Sequence, residues 1–250
     1  MGIPNLLARA VGLASDTAPE KKQRTGEWDP FTRAEFLSDE VRTLRFGIAV
    51  AAKREEWTRF LAPFEDKTHR DYPQMPNICV PDSRMLSSPL HLAAQCGAPA
   101  EVVQKLIALG AWRTLQNGHG ERPVDVAARA GHRHLLWILE PEYRIRLPWG
   151  VLRKIEIELH AAMRDYIERN FKPDPIERHA LRLPQVEPVL ETANTALCMQ
   201  MPWIPGAFNF SLEDETENPK LVLYANCRVS SGMDAKYEIT VTGYERVKWA

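Results

Sequence analysis

Apolar residues recur at helical spacing in two long stretches of the chain. In residues 32–62 they fall at intervals of three and four, which predicts two helices joined by a tight turn near Lys53 and Arg54. The same spacing follows Pro148 as far as about residue 170, and predicts one amphipathic helix. The apolar positions are Phe36, Val41, Leu44, Ile48, Trp57 and Leu61 in the first stretch, and Leu152, Ile155, Leu159, Met163 and Ile167 in the second.

After Pro173 the pattern changes to short runs of β-branched and aromatic residues separated by turn formers. Such runs predict strands, and acidic or Ser-Gly segments between them predict loops. The predicted strands are residues 198–201, 207–212, 220–229 and 237–241.

The chain therefore divides into helical and β-rich parts, which predicts an α+β protein: a short helical stack followed by a small antiparallel β-rich module. The expected divisions are residues 1–32 as an N-terminal helix and polar linker, 33–172 as the stack with a capping helix, and 173–250 as the β-rich module.

Part of the helical region repeats itself. Residues 88–97 (SPLHLAAQCG) recur 34 positions later as residues 122–131 (RPVDVAARAG), with residues 101–111 (EVVQKLIALGA) between them. A repeat of this period indicates a stacked architecture, because each unit buries its apolar face against its neighbours. Pro89 and Pro123 fit the first position of a helix, where the missing N–H costs nothing.

These residues closely resemble the ankyrin repeat family, with its T-P-L-H-x-A-A start and its V-V-x-L-L second helix ending in G-A. The resemblance covers residues 33–140 if residues 46–61 are a degenerate first repeat, and it implies helical hairpins with projecting turns. The sequence departs from the pattern in four places: Ser88 and Arg122 replace threonine, Leu86 replaces glycine, and one extra residue sits at Ala98-Pro99. The end of the chain resembles, more faintly, a module of uncharacterised bacterial proteins, and no residue roles follow from that.

The residues most suggestive of chemistry also fit structural positions. His91 and His132 occupy family positions at which the resemblance implies a histidine that joins neighbouring turns, and Cys96 fits a small packed residue. His160, Asp165 and Glu168 fit a solvated helical face. Because HExxH, GxGxxG and GxSxG patterns are absent from the sequence, we expect no catalytic centre, metal or cofactor.

Composition narrows the partner class and the compartment. The 32 basic and 33 acidic residues nearly cancel, so nothing favours nucleic acid or an anionic membrane. The four cysteines form no CxxC pair, no stretch approaches about 18 apolar residues, and the N-terminus lacks the pattern of an export signal. These features predict a soluble cytoplasmic protein with reduced thiols.

Tryptophans are candidates for either core or interface positions. Trp57 and Trp137 fit the buried faces of their helices and are predicted to be core. Trp112 follows Gly110-Ala111 in a projecting turn, where it either packs under the neighbouring turn or faces a partner.

In ankyrin repeats, partners contact the tips of the turns and the concave face formed by the first helices. The resemblance therefore implies one partner surface with side chains of mixed charge, which suits a protein better than a phosphate backbone. Its predicted residues are Arg84, Met85, Ser87, Gln95, Trp112, Arg113, Gln116, His119, Glu121 and Arg129, with Cys96, Gly118 and Ala130 beside them.

The favoured functional hypothesis is a protein-protein interaction module of the immunity type, which binds and neutralises a bacterial toxin. One alternative is an adaptor or chaperone that loads a partner protein. The other is an enzyme whose site lies in the C-terminal module around Cys227, Arg228 and Tyr237.

Overall fold

Three helical pairs lie side by side in the first half of the chain. The computed structural model describes residues 26–66, 75–192, 196–202, 206–213, 218–227 and 233–248. The helix predicted for residues 1–14 lies outside the described residues. The pairs are α1 (Asp39–Lys53) with α2 (Trp57–Glu65), α3 (Pro89–Gln95) with α4 (Ala100–Ala108), and α5 (Pro123–Ala130) with α6 (Leu136–Leu139).

Contacts between the pairs follow two rows. Helices α1, α3 and α5 contact one another in order and form the inner row, whereas α2, α4 and α6 form the outer row. Ala93, Ala94 and Ala127 have almost no exposed surface, and their small side chains allow the inner helices to approach closely. The predicted stack of helical pairs is confirmed.

The second half of the chain forms a six-stranded sheet in sequential order. Strand β1 pairs in parallel with β2, and the later neighbours are antiparallel. The strands are β1 (Gly26–Glu27), β2 (Ala196–Gln200), β3 (Gly206–Glu213), β4 (Lys220–Cys227), β5 (Ala235–Thr240) and β6 (Gly243–Val247). The predicted α+β class and the four predicted strands, β2 to β5, are confirmed.

Two strands were not predicted. Strand β6 is an edge strand with exposed Tyr244, Glu245 and Arg246, so its sequence lacks the alternation of a half-buried strand. Strand β1 is two residues long and lies in the expected polar linker. It leads into Trp28, which is buried in the sheet's core.

The predicted capping helix packs elsewhere. Helix α7 (Trp149–Asn170) contacts β4, β5 and β6, and its apolar face belongs to the sheet's hydrophobic core rather than to the core of the stack. The ring centroids of Tyr166 and Phe208 lie 5.5 Å apart, edge to face, and Tyr237 Oη donates to Asp165 Oδ2 at 3.0 Å. The prediction of a cap was wrong because periodicity marks an apolar face without showing what covers it.

Two tryptophans correct the sequence interpretation. Trp137 is 71% exposed, because α6 is one turn long and turns Ile138 and Leu139 inward instead, beside the buried Leu135 that precedes the helix. Trp112 is buried and stacks on Trp28, with ring centroids 6.4 Å apart, in the sheet's core. The turn between the second and third helical pairs therefore inserts into the β-rich module.

The remaining α-helix of the described residues, α8 (Pro175–Arg178), leads into a connector that ends with a short 3-10 helix, Glu187–Leu190. Three other 3-10 helices lie at Ala34–Phe36, Met75–Asn77 and Arg133–Leu135. None of the helices in these described ranges is both long enough and apolar enough to cross a bilayer.

Candidate functional site

The projecting turns before α3 and α5 are bound to each other. Gly118 N donates to Met85 O at 2.6 Å, and a Cβ on Gly118 would lie 2.0 Å from Arg84 O. Only glycine permits this approach of the two backbones. Leu86, at a position where the resemblance to ankyrin repeats implies glycine, has a φ of 43°, and Gly120, 34 positions later, has a φ of 77°. The two turns thus share the left-handed residue despite the substitution.

Asn117 fixes the tip of the turn before α5, which is the second of the two projecting turns. Its buried Oδ1 accepts hydrogen bonds from His119 N at 2.9 Å and Glu121 N at 3.0 Å, while Nδ2 donates to Glu121 Oε2. His119 is exposed at the tip. A turn fixed in this way loses little conformational entropy when a partner binds it.

The inner helices carry a small polar network. Arg129 Nε donates to Glu121 Oε1 at 2.8 Å, and Arg129 Nη2 lies 3.4 Å from Gln95 Oε1. The hydrogen bond from Arg129 holds the pKa of the Glu121 carboxyl below its usual value. Because Arg129 and Gln95 are exposed, the network orders the surface more than it stabilises the fold.

His91 joins the two turns from beneath. Its Nδ1 accepts from Ser88 N at 3.3 Å, so Nε2 carries the proton and donates to Glu121 O at 2.9 Å. Burial lowers the pKa of His91 to about 4, and the imidazole is therefore neutral near pH 7. The predicted structural role of His91 is confirmed. His132 Nε2 lies 3.2 Å from Gln95 O, which fits the same role.

Some of the predicted partner residues contact the chain's own connector instead. Arg113 N and Thr114 N donate to the two carboxylate oxygens of Glu191 at 3.0 Å each. Gln116 N donates to Gln185 Oε1 at 2.9 Å, and Gln116 O accepts from Arg182 and from Gln185 Nε2. The Arg113 side chain is 14% exposed and pairs with Glu142.

Trp112, Arg113 and Gln116 are therefore removed from the predicted surface. The contacts of Arg113 and Gln116 with the connector join residues about 70 or more positions apart, which a template of one repeat does not reveal. The remaining predicted residues lie on the tips and on α3 and α5. We call them the finger surface: Arg84, Met85, Ser87, Gln95, His119, Glu121 and Arg129.

A cleft of about 430 Å³ lies between the stack and the module. Its central carboxylate, Glu187, is buried and accepts from Arg122 Nη2 at 2.5 Å and from Tyr143 Oη at 2.6 Å. Burial, and then the bond to Glu187, raise the pKa of Tyr143. Sequence reasoning missed this site. The available signal was Arg122 at a position where the resemblance to ankyrin repeats implies threonine, because Arg122 is the residue that pairs with Glu187.

Of the three residues of the enzyme hypothesis, the structure describes the side chain of Tyr237 alone. Burial raises the pKa of Cys198 to about 11 and also raises those of Cys79 and Cys96, so these thiols lack thiolate character. Tyr237 is fully buried and bonded to Asp165. Arg228 and the side chain of Cys227 lie outside the described residues.

His160 Nε2 is 2.8 Å from Pro184 O, and burial lowers its pKa. Within the described ranges, no group of three or more His, Cys, Asp or Glu side chains is placed to hold a metal ion.

No protein-family model matches this chain, and a search of curated proteins finds no match.

Proposed function

We propose that the chain is an ankyrin-type repeat protein that binds another protein through the finger surface. The observation that carries the proposal is the fixed geometry of the two projecting turns, which holds exposed side chains in place. Gly118 N donates to Met85 O between the turns, and Asn117 Oδ1 accepts from His119 N and Glu121 N within the turn before α5. Preorganisation of this kind favours binding because fewer degrees of freedom are lost.

The chemistry of the finger surface also supports a protein partner. It combines the cationic Arg84 and Arg129 with the carboxylate of Glu121, the amide of Gln95 and the apolar Met85. Mixed charge around apolar contacts is typical of protein interfaces, whereas phosphate backbones select clustered cations.

Within this class we propose an immunity-type role in the cytoplasm, in which the partner is a bacterial toxin that the chain neutralises. Inhibition needs a rigid surface that covers a partner's site, and the bonded turns supply rigidity. An adaptor that loads a partner remains the alternative, and the experiment below separates the two.

The test combines capture and protection. A tagged chain is used to capture partners from the native lysate, and each captured protein is measured again with the variant Arg84→Ala/His119→Ala/Arg129→Ala. We expect binding to weaken tenfold or more, since a few large side chains dominate most interfaces. The control variant is Lys154→Ala/Arg164→Ala/Arg178→Ala. It also removes three exposed basic side chains, but these lie on α7 and α8, away from the finger surface.

Equal loss with both triple variants, or full binding by the finger variant, would contradict the finger surface. For the finer proposal, the chain is co-expressed with the captured protein in a growth assay. Rescue of growth by the chain and not by the finger variant supports inhibition. A captured protein that is harmless alone and becomes active with the chain supports the adaptor.

A further inference from the structure

The cleft between the stack and the module has the properties of a ligand site and shares no residue with the finger surface. Its volume of about 430 Å³ falls in the range of small-ligand pockets, and such pockets often form where two parts of a protein meet. Leu147, Leu152 and Leu190 supply an apolar lining. The polar groups around them decide which ligand fits.

The carboxylate of Glu187 is already hydrogen-bonded within the protein. Its oxygens accept from Arg122 Nε at 3.3 Å, Arg122 Nη2 at 2.5 Å, Gln116 Nε2 at 3.1 Å and Tyr143 Oη at 2.6 Å. A carboxylate has about four acceptor positions, so these donors use them all. Glu187 therefore positions Arg122 and is not a site for a cationic ligand.

Arg122 has N–H donors that Glu187 does not use. A guanidinium carries five N–H groups, and in the described residues its Nη1 makes no hydrogen bond. Its side chain is 28% exposed, and its Cζ lies 5.8 Å from the ring centroid of Trp149, which is 54% exposed. One edge of Arg122 is thus fixed by Glu187, and the indole covers its face.

Arg146 adds a second guanidinium at the opening. It is exposed, and in the part of the chain that the structure describes it forms no ion pair. Glu140 also lines the cleft but is exposed to water, where a carboxylate is well solvated. Two guanidinium groups beside an apolar and aromatic lining complement an anion attached to an apolar body.

We propose that this cleft binds a carboxylate carried on an apolar group, with Arg122 and Arg146 as donors and Trp149 as the aromatic wall. The carboxylate has two possible sources, a free small molecule or the C-terminus of a peptide that ends in an apolar residue. The proposal does not depend on the finger surface.

The experiment titrates the full chain with three probes of one shape: 3-phenylpropionate, its primary amide and 3-phenylpropylamine. Binding is followed by calorimetry and by the NMR signal of the Trp149 indole N–H. We expect the carboxylate to bind and the amide to bind about tenfold more weakly, because the charge-assisted hydrogen bonds are lost. A hexapeptide ending in Phe, with a free or an amidated C-terminus, forms the second arm.

Variants locate the site. Arg146→Ala and Trp149→Ala are expected to weaken the carboxylate about tenfold, and Arg146→Lys less, because lysine keeps the charge without the planar fork. Arg133→Ala removes an exposed arginine that does not line the cleft and leaves binding unchanged. Arg146 and Trp149 are both exposed, so we expect their variants to fold, and circular dichroism checks this.

The outcomes separate clearly. Tighter binding of 3-phenylpropionate than of the free-acid peptide identifies a small-molecule site, and the reverse order identifies a peptide C-terminus. Equal binding of acid and amide, preference for the amine, or no binding of any probe at about 10 mM overturns the proposal. So does a carboxylate whose affinity is unchanged by both Arg146→Ala and Trp149→Ala.

Discussion

Replacing Arg45 by methionine tests how the segment after β1 is held against the stack. Arg45 on α1 donates from Nη1 to Asp29 Oδ2 at 2.6 Å and from Nη2 to Asp29 Oδ1 at 3.0 Å, with side chains 2% and 1% exposed. Methionine fills similar space without the charge. The Asp29 carboxylate then stays buried, with the backbone N–H groups of Cys79 and Phe31 as its remaining donors.

The expected cost follows from burial. Two unit charges about 4 Å apart attract by about 4 kcal/mol at an effective dielectric constant near 20. Removing one partner of a buried pair typically costs about 3 to 5 kcal/mol, because the other charge is left unpaired. Arg42→Met is the matched control on the same helix: its partner Asp39 is 89% exposed, so the expected loss is below about 1 kcal/mol.

The free energy of unfolding is measured for both variants by urea titration, followed by tryptophan fluorescence. The double variant Arg45→Met/Asp29→Leu removes both charges, and much of the loss is expected to return. Equal small losses for Arg45→Met and Arg42→Met, or a double variant less stable than Arg45→Met by a further about 3 kcal/mol, would refute the reasoning.

Three further predictions concern stability and reactivity. Gly131 has a φ of 83°, and a Cβ added there would meet no atom within 4 Å, so Gly131→Ala should lower the free energy of unfolding by about 1 kcal/mol through backbone strain alone. Gly47 is equally open but lies inside α1, so Gly47→Ala should raise the free energy of unfolding by about 0.5 to 1 kcal/mol. Thermal unfolding of both variants measures the difference. Folding lowers the pKa of His91 from 6.5 to about 4, so the neutral imidazole contributes its full stability above pH 6.5 and progressively less as the pH falls toward 4. In urea titrations over that range, His91→Gln should lose less of its free energy of unfolding than the unchanged protein. Iodoacetamide followed by mass spectrometry should label half-buried Cys96 before Cys79, whose burial raises its pKa further; faster labelling of Cys79 would contradict its burial.

Local patterns predicted most of the elements but not their partners. The first helical pair and strands β2 to β5 follow from periodicity within about ten residues, which is information that a single sequence carries. The other two helical pairs were predicted from the resemblance to ankyrin repeats. Helix α7 was identified but assigned to the stack, since its apolar face fits a sheet as well as a helical layer. Trp137 was misassigned because the single turn of α6 is too short to define a face.

Part of the finger surface could be predicted from the sequence, because the repeat template is also a local pattern. The repeat template locates the tips, and His91, Gln95 and Arg129 lie where it implies. The template also marked Gln116, whose partners Gln185 and Glu187 lie about 70 residues further along the chain. Contacts of that range depend on the docking of two parts, which no local pattern encodes.

The contacts of the turn before α5 with the connector limit how this array evolves. Repeat proteins commonly lengthen by tandem duplication, because each unit contacts only its neighbours. Here a unit inserted after α6 would separate Thr114 and Arg122 from Glu191 and Glu187, and would withdraw Trp112 from Trp28. These contacts therefore oppose the insertion of a further helical pair between α6 and the C-terminal module.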